Sequence, residues 1–186
     1  MCTIFTDMDN VIADLNRYVV EEVNAREGTN HKPEDTTDWW WSNLGVSQEY
    51  LNGILCEPYA FEFLEPVEGA IEGINKLKEF GLDIIFLTTP HYDSLFSMEE
   101  KKMWLDIHFE WFDPYKHLIF TGRKELVGTK NDILIDDSIS NLKGFKGIKI
   151  CFDAPWNKEW NGLRFDNWDE LTDYLIDLEK KINKIN

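Results

Sequence analysis

Two pairs of acidic residues stand where short apolar stretches of the sequence end. Asp7 and Asp9 follow the first such stretch, and Asp136 and Asp137 end a later one. If the two stretches are neighbouring strands, these carboxylates share one crevice, where two like charges about 4 Å apart repel by roughly 4 kcal/mol at an effective dielectric of 20. A divalent cation neutralises them. Hard oxygen ligands favour Mg²⁺, which keeps positions open for water and phosphate oxygens, so the pattern predicts a magnesium site.

Hydroxyl and lysine side chains suited to phosphate binding accompany the acids. The second predicted strand ends at Thr88 and Thr89, which offer a hydroxyl and backbone N–H groups. Lys101 lies on the apolar face of the next predicted helix, where a lysine needs an anionic partner, and Lys124 follows the third strand. We predict that all four residues bind phosphate. The alternatives are a snorkelling Lys101 and a solvated Lys124.

Short apolar runs alternate along the chain with stretches of helical period. Continuous apolar runs are typical of strands covered on both faces, and interleaved helices are typical of crossover connections. The pattern predicts an α/β fold with a doubly wound parallel sheet, in which ligands bind at the carboxyl edge of the strands. One predicted helix begins at a capping box formed by Ser97 and Glu100. Strands are predicted at residues 3–6, 83–88, 117–120, 132–135 and 148–152.

The first two strands are separated by far more residues than a crossover needs. About 75 residues lie between Asp7 and Asp83, whereas a crossover takes about a dozen. We predict a small, mainly helical cap at residues 15–67, inserted after strand 1, and a core domain formed by residues 1–14 and 68–186. The run of three tryptophans at 39–41 is able to stack on a base, but we favour a role in the core of the cap.

Composition excludes several classes of partner. The chain has 35 acidic and 19 basic residues and a net charge of −16, which disfavours binding to nucleic acid polymers. Its apolar runs are far shorter than the roughly 18 residues of a membrane span, and residues 1–7 lack the features of a secretory signal. We therefore expect a cytoplasmic location, no membrane partner and reduced cysteines.

Five short motifs stand out along the chain. They are Asp7-Met8-Asp9-x-Val11-x-Ala13-Asp14, Phe63-Leu64-Glu65-Pro66-x-x-Gly69-Ala70, Thr88-x-Pro90, Lys101-x-x-Trp104 and Leu134-Ile135-Asp136-Asp137. Taken as a set, they resemble the haloacid dehalogenase superfamily and, within it, the 5′(3′)-deoxyribonucleotidase family, and the resemblance covers most of residues 3–175. It implies a Rossmann-like parallel sheet of order 5-4-1-2-3, a Mg²⁺ cofactor, a small nucleotide as substrate and a homodimer. It also implies hydrolysis of (deoxy)nucleoside 5′- or 3′-monophosphates through a phosphoaspartate.

The resemblance also implies a role for each acid. Asp7 is the nucleophile, and Asp9 protonates the departing sugar oxygen and then activates the hydrolytic water. Mg²⁺ is held by the Asp7 carboxylate, the Asp9 backbone carbonyl and Asp137, with Asp136 nearby in support. The phosphoryl oxygens are held by Thr88, the Thr89 amide and Lys101.

The chain departs from the family pattern around the predicted substrate pocket, to which we assign Asn10, Leu15 and Phe61. Asn10 stands where the family usually has glycine, and Leu15 where the mammalian members carry a phenylalanine. Base and sugar preference therefore stay open. So do two alternative functions: a phosphatase of the same superfamily acting on another small phosphomonoester, and a non-catalytic module that senses nucleotides or phosphate.

Overall fold

Six parallel strands form the sheet of this protein, in the order β3-β2-β1-β4-β5-β6. The computed structural model describes residues 2–185, with side chains up to residue 181. The strands are β1 (Thr3–Thr6), β2 (Asp83–Thr88), β3 (Leu118–Phe120), β4 (Ile133–Asp136), β5 (Ile148–Phe152) and β6 (Leu163–Phe165). The helices are α1 (Leu15–Glu27), α2 (Gln48–Leu55), α3 (Ala70–Glu79), α4 (Ser97–His108), α5 (Pro114–His117), α6 (Ile139–Gly144) and α7 (Trp168–Ile185).

Alternate residues of the central strands face two different apolar clusters. Ile4 and Ile135 belong to the larger cluster, which also holds buried residues of α3 and α7. Phe5 and Leu134 point the other way, toward Leu142 of α6. Because side chains alternate across a strand, two apolar clusters require strands that are apolar on both faces, which explains the continuous apolar runs in the sequence.

The predicted α/β fold is confirmed, and the predicted strand order is confirmed in part. The order 5-4-1-2-3 is present, but the prediction omitted β6, which pairs with β5 in parallel at the sheet edge. This strand spans three residues and includes Arg164, so it lacks the apolar run by which the other strands were recognised.

The predicted capping box at α4 is wrong. Phe96 occupies the N-cap position and makes no side-chain cap, while Ser97 is already helical and its Oγ accepts a hydrogen bond from the His91 amide. Glu100 instead accepts hydrogen bonds from the amides of Tyr59 and Phe61. The side chains of Ser97 and Glu100 thus make tertiary hydrogen bonds instead of the predicted capping bonds.

The inserted segment leaves and rejoins the sheet at one place. The Asp14 amide donates to the Glu65 carbonyl, and the Val67 amide donates to the Ile12 carbonyl. Between these bonds lie α1, α2 and two short 3₁₀ turns, and their buried apolar residues join the same cluster as the sheet. The division into a cap at 15–67 and a core at 1–14 and 68–186 stays a prediction.

Within residues 2–185, no helix is both long enough and apolar enough to cross a membrane.

Candidate active site

The first acidic pair is set on a tight turn that continues β1. The Asp7 amide still donates to the Ile135 carbonyl of β4, and the chain then folds back so that three successive amides donate to the Met8 carbonyl. Asn10 adopts a φ of 60°, in the left-handed region that glycine and asparagine tolerate best. Its Oδ1 accepts a hydrogen bond from the Asn16 amide at 2.7 Å. The turn therefore accommodates asparagine where the family usually has glycine.

Adjacent strands bring the two acidic motifs together. Because β1 pairs with β4, Asp7, Asp136 and Asp137 each place one carboxylate oxygen within 4.8 Å of the others. All three side chains are buried, and Asp137 Oδ1 has no hydrogen-bond partner among the described residues. Two oxygens across one Mg²⁺ lie about 4.2 Å apart, so this set of hard donors with an unsatisfied oxygen fits that ion. The Asp9 backbone carbonyl stays a predicted ligand.

Burial makes the cluster difficult to ionise without a counter-ion. It raises the pKa of Asp137 well above its ordinary value, and repulsion from Asp136 and Asp7 adds to the effect. Burial likewise outweighs the attraction of Lys124 and raises the pKa of Asp136 to about 6. Desolvation thus dominates both pKa shifts, and one buried ammonium group does not offset it for the carboxylates that share it.

Lys124 lies inside this cluster. Its Nζ is 2.8 Å from Asp7 Oδ2 and 2.7 Å from Asp136 Oδ2, and the side chain is buried. Burial alone lowers the pKa of Lys124, but Asp136 and Asp7 raise it above its ordinary value, so the side chain stays charged. The structure thus joins Lys124 to the acids, and its predicted contact with phosphate stays a prediction.

Lys101 contacts Asp9, the other acid of the first motif. Its Nζ donates to Asp9 Oδ2 at 2.6 Å, to Thr88 Oγ1 at 3.0 Å and to the Thr89 carbonyl at 2.9 Å. An ammonium group has three N–H donors, so these bonds use all of them. A phosphoryl oxygen would have to replace one of these acceptors, and the predicted contact of Lys101 with phosphate stays a prediction.

Two cavities meet at the acids. One encloses about 400 Å³ beside α2, and the other about 590 Å³ beside α6. Asp9, Thr89, Trp39 and Trp40 line both, while Asp7 lines only the larger. The Thr89 hydroxyl donates to the Thr121 carbonyl at 3.0 Å, which leaves its amide as the group predicted to bind phosphate.

The predicted pocket residues separate into two groups. Leu15 and Phe61 line the smaller cavity, whereas Asn10 lies behind it in the turn. The tryptophan run divides as well. Trp41 is 5% exposed, donates to Asn16 Oδ1 and lines only the smaller cavity, whereas Trp39 and Trp40 are 38% and 62% exposed and line both. The interpretation as core residues therefore suits only the last of the three.

Sequence reasoning did not identify several residues that hold the acids. Trp156 Nε1 donates to Asp137 Oδ2 at 3.1 Å, and Asn157 Nδ2 donates to the Asp137 carbonyl at 2.8 Å. Asn141 Nδ2 donates to both oxygens of Asp136. Asn141 lies five residues after Asp136, in the first turn of α6, and only this short separation offered a local signal. Trp156 and Asn157 follow β5 and gave no such signal.

Comparison with known proteins yields the same family. The model of the family described as 5′ nucleotidase, deoxy (pyrimidine), cytosolic type C protein matches residues 1–182. The 5′(3′)-deoxyribonucleotidases of Bacillus subtilis and Bacillus phage SPbeta are each 33% identical over 175 residues, 93% of this chain and 98% of theirs. A HAD family hydrolase from Deinococcus radiodurans, solved with bound phosphate and sodium, has a similar fold, with a TM-score of 0.66 at 13% identity, covering 94% of this chain and 95% of its own. The chain therefore belongs to the cytosolic type C 5′ nucleotidase family and has the fold of the HAD hydrolases.

Proposed function

We propose that the protein is a Mg²⁺-dependent phosphomonoesterase that hydrolyses deoxynucleoside 5′- or 3′-monophosphates to nucleoside and phosphate. The observation that carries this proposal is the convergence of Asp7, Asp136 and Asp137, with Asp7 lining the larger cavity. The named activity of the Bacillus relatives supports the choice of substrate.

Asp7 acts as the nucleophile in this mechanism. One of its carboxylate oxygens attacks phosphorus, and the bond between phosphorus and the sugar oxygen breaks in line with it. Lys124 and the Met8 amide each hold an oxygen of Asp7, which orients the carboxylate for this attack. The product of the first step is an acyl phosphate on Asp7 and a free nucleoside.

Asp9 moves the protons of both steps. It first gives a proton to the sugar oxygen; it then takes one from the water that attacks the acyl phosphate, which releases inorganic phosphate and restores Asp7. Burial raises the pKa of Asp9 against the opposing effect of Lys101, which is the direction that a proton donor requires. Its Oδ1 has no hydrogen-bond partner among the described residues and is available for this exchange.

The remaining groups stabilise charge on the phosphoryl oxygens. The Thr88 hydroxyl accepts from Lys101, so its own proton is available to a phosphoryl oxygen, and the Thr89 amide supplies a second donor. Asp7, Asp136, Asp137 and the Asp9 carbonyl would hold Mg²⁺, which when bound neutralises charge on the phosphate and on the acids.

A profile of phosphate release tests the proposal. We expect the purified protein with Mg²⁺ to release phosphate from dUMP and dTMP faster than from ribonucleotides or sugar phosphates. Asp7→Asn should lower kcat by at least about a thousandfold because the nucleophile is lost. Asp9→Asn should lower turnover while leaving Mg²⁺ binding, measured by calorimetry, unchanged.

Two results would contradict the proposal. A clear preference for sugar phosphates would reassign the substrate class, and robust turnover by Asp7→Ala would exclude a phosphoaspartate intermediate on Asp7.

The family resemblance also leads us to expect a homodimer in the cytoplasm; light scattering of the purified protein would test its oligomeric state.

A further inference from the structure

The smaller cavity contains a polar pair that the proposed chemistry does not use. His91 Nε2 lies 2.7 Å from Asn52 Oδ1, and both residues line the cavity. Asn52 belongs to α2 of the inserted segment, and His91 follows β2, so the pair joins the insert to the sheet. The surrounding walls are apolar and include Leu15, Leu55 and Phe61.

The other polar groups of this cavity have different positions or partners. Asp9 and Thr89 lie at the end where phosphate is handled, because both also line the larger cavity beside Asp7. Gln48 Nε2 donates to the Trp40 carbonyl at 2.7 Å, and Glu49 is exposed. The pair of Asn52 and His91 therefore offers a neutral polar group to a ligand that extends away from Asp9.

The hydrogen bond orients the amide. A carbonyl oxygen only accepts, so His91 Nε2 must carry the proton, and Asn52 Nδ2 is left as a donor. Within residues 2–185, Nδ2 has no protein acceptor. The His91 amide donates to Ser97 Oγ at 2.8 Å and Asn52 sits within α2, so the backbones of both residues are held.

The imidazole stays neutral in this setting. Burial lowers the pKa of His91 by more than Asp93 raises it, and the Lys101 ammonium acts in the same direction as burial. The pair thus presents an uncharged donor, which suits the edge of a neutral ring better than a second anionic group.

We propose that Asn52 determines base specificity by donating from Nδ2 to a ring carbonyl oxygen, with His91 as the residue that positions it. This inference rests on the proposed function and names the substrate class more closely: bases with a keto group at that edge, such as uracil and thymine, over cytosine, whose amino group is itself a donor. The apolar walls cover the ring faces, and a cavity of about 400 Å³ is large enough for one nucleoside.

Three variants test the proposal with Mg²⁺ present and dUMP, dCMP and deoxyribose 5-phosphate as substrates. Asn52→Leu should lower kcat/KM for dUMP by about tenfold. The kcat/KM for deoxyribose 5-phosphate should stay the same, because this substrate has no base. Asn52→Asp replaces the donor by an acceptor and should shift the preference toward dCMP. His91→Phe should narrow the ratio between dUMP and dCMP, because the amide is then free to rotate.

The outcomes separate this inference from the proposed function. If the wild-type chain releases no phosphate from deoxynucleotides, the proposed function fails and the inference with it. If it hydrolyses deoxynucleotides but the variants keep the wild-type ratio of dUMP to dCMP, only the inference fails. Equal losses on all three substrates would mean that Asn52 is merely structural and would also overturn it.

Discussion

Side-chain pairing at the site divides the positive charges between the two acids of the first motif. Lys124 contacts Asp7, while Lys101 contacts Asp9. Each lysine is fully buried, so each carboxylate has an ammonium group in a medium where an unpaired charge is very costly. The two acids are thereby held in different environments, which suits the proposed roles of Asp7 as nucleophile and Asp9 as proton carrier.

Asn10 carries backbone strain in the turn that follows β1. We expect Asn10→Val to lower the free energy of unfolding by about 1–3 kcal/mol, because a β-branched residue resists a φ of 60° and the acceptor for the Asn16 amide is lost. Asn10→Gly, the matched control, should cost less since glycine adopts this φ freely. Urea unfolding measures both; equal stability of the valine variant and the wild type would contradict the prediction.

Two buried thiols make the protein less stable at alkaline pH. Burial raises the pKa of Cys2 and Cys151 to about 11, from an ordinary value of 9.0. The unfolded chain thus binds fewer protons above pH 9, so the stability contributed by these thiols is complete below pH 9 and is lost as pH rises toward 11. We expect thermal melting to fall over this range, and less steeply in Cys2→Ala and Cys151→Ala. If the melting temperature fell as steeply with pH in both variants as in the wild type, the prediction would be refuted.

Close packing of α3 against α7 stabilises the larger apolar cluster at the level of elements. Trp168 is fully buried, and its Nε1 donates at 2.8 Å to the carbonyl of Val11, which lies in the turn that follows β1. A Cβ on Gly73 would lie 2.6 Å from Thr172 Oγ1 and 3.0 Å from Trp168 Cε3. The glycine therefore sets how closely the two helices approach.

Substitution of this glycine tests the packing. We expect Gly73→Ala to destabilise the protein by about 1–3 kcal/mol despite its better helix propensity, because the added methyl overlaps α7. Adding Thr172→Ala should recover most of the loss, since the Thr172 hydroxyl is buried without a hydrogen-bond partner among the described residues. Gly53→Ala on α2, where nothing lies within 4 Å, is the control and should stabilise. A stabilised Gly73→Ala would disprove the overlap.

Across the whole molecule, one cation would connect strands that are far apart in the sequence. Asp7 follows the first strand of the chain and Asp137 follows the fourth, so a shared ion stabilises only the folded state. The net charge of −16 adds general repulsion that the same ion relieves.

Thermal unfolding with and without Mg²⁺ measures this contribution. At about 100 times the Kd, we expect the ion to raise Tm by roughly 5–10 °C. Asp137→Asn should raise the Tm of the metal-free protein by reducing repulsion and should abolish the response to Mg²⁺. Asp106→Asn, exposed on α4, should behave as the wild type. A full Mg²⁺ response in Asp137→Asn would exclude Asp137 as a ligand.

Local sequence patterns were sufficient to predict the features that depend on backbone hydrogen bonding and burial. Continuous apolar runs predicted five parallel strands, whereas the order that places the acids of β1 and β4 side by side was implied only by the family resemblance. A strand as short as β6 carries too few apolar residues to be recognised in this way. Capping at Ser97 failed because Glu100 has more distant partners in the Tyr59 and Phe61 amides.

The amino-acid sequence by itself determined the fold class, the family and the acids at the sheet edge, because apolar periodicity and short motifs are local properties of the chain. Only the tertiary structure decided which lysine contacts which acid, that Trp40 lines the cavities while Trp41 is buried, and that Asn52 meets His91. The physical reason is that side-chain pairing depends on ångström-scale distances between segments far apart in sequence, and residue type and spacing do not encode those distances.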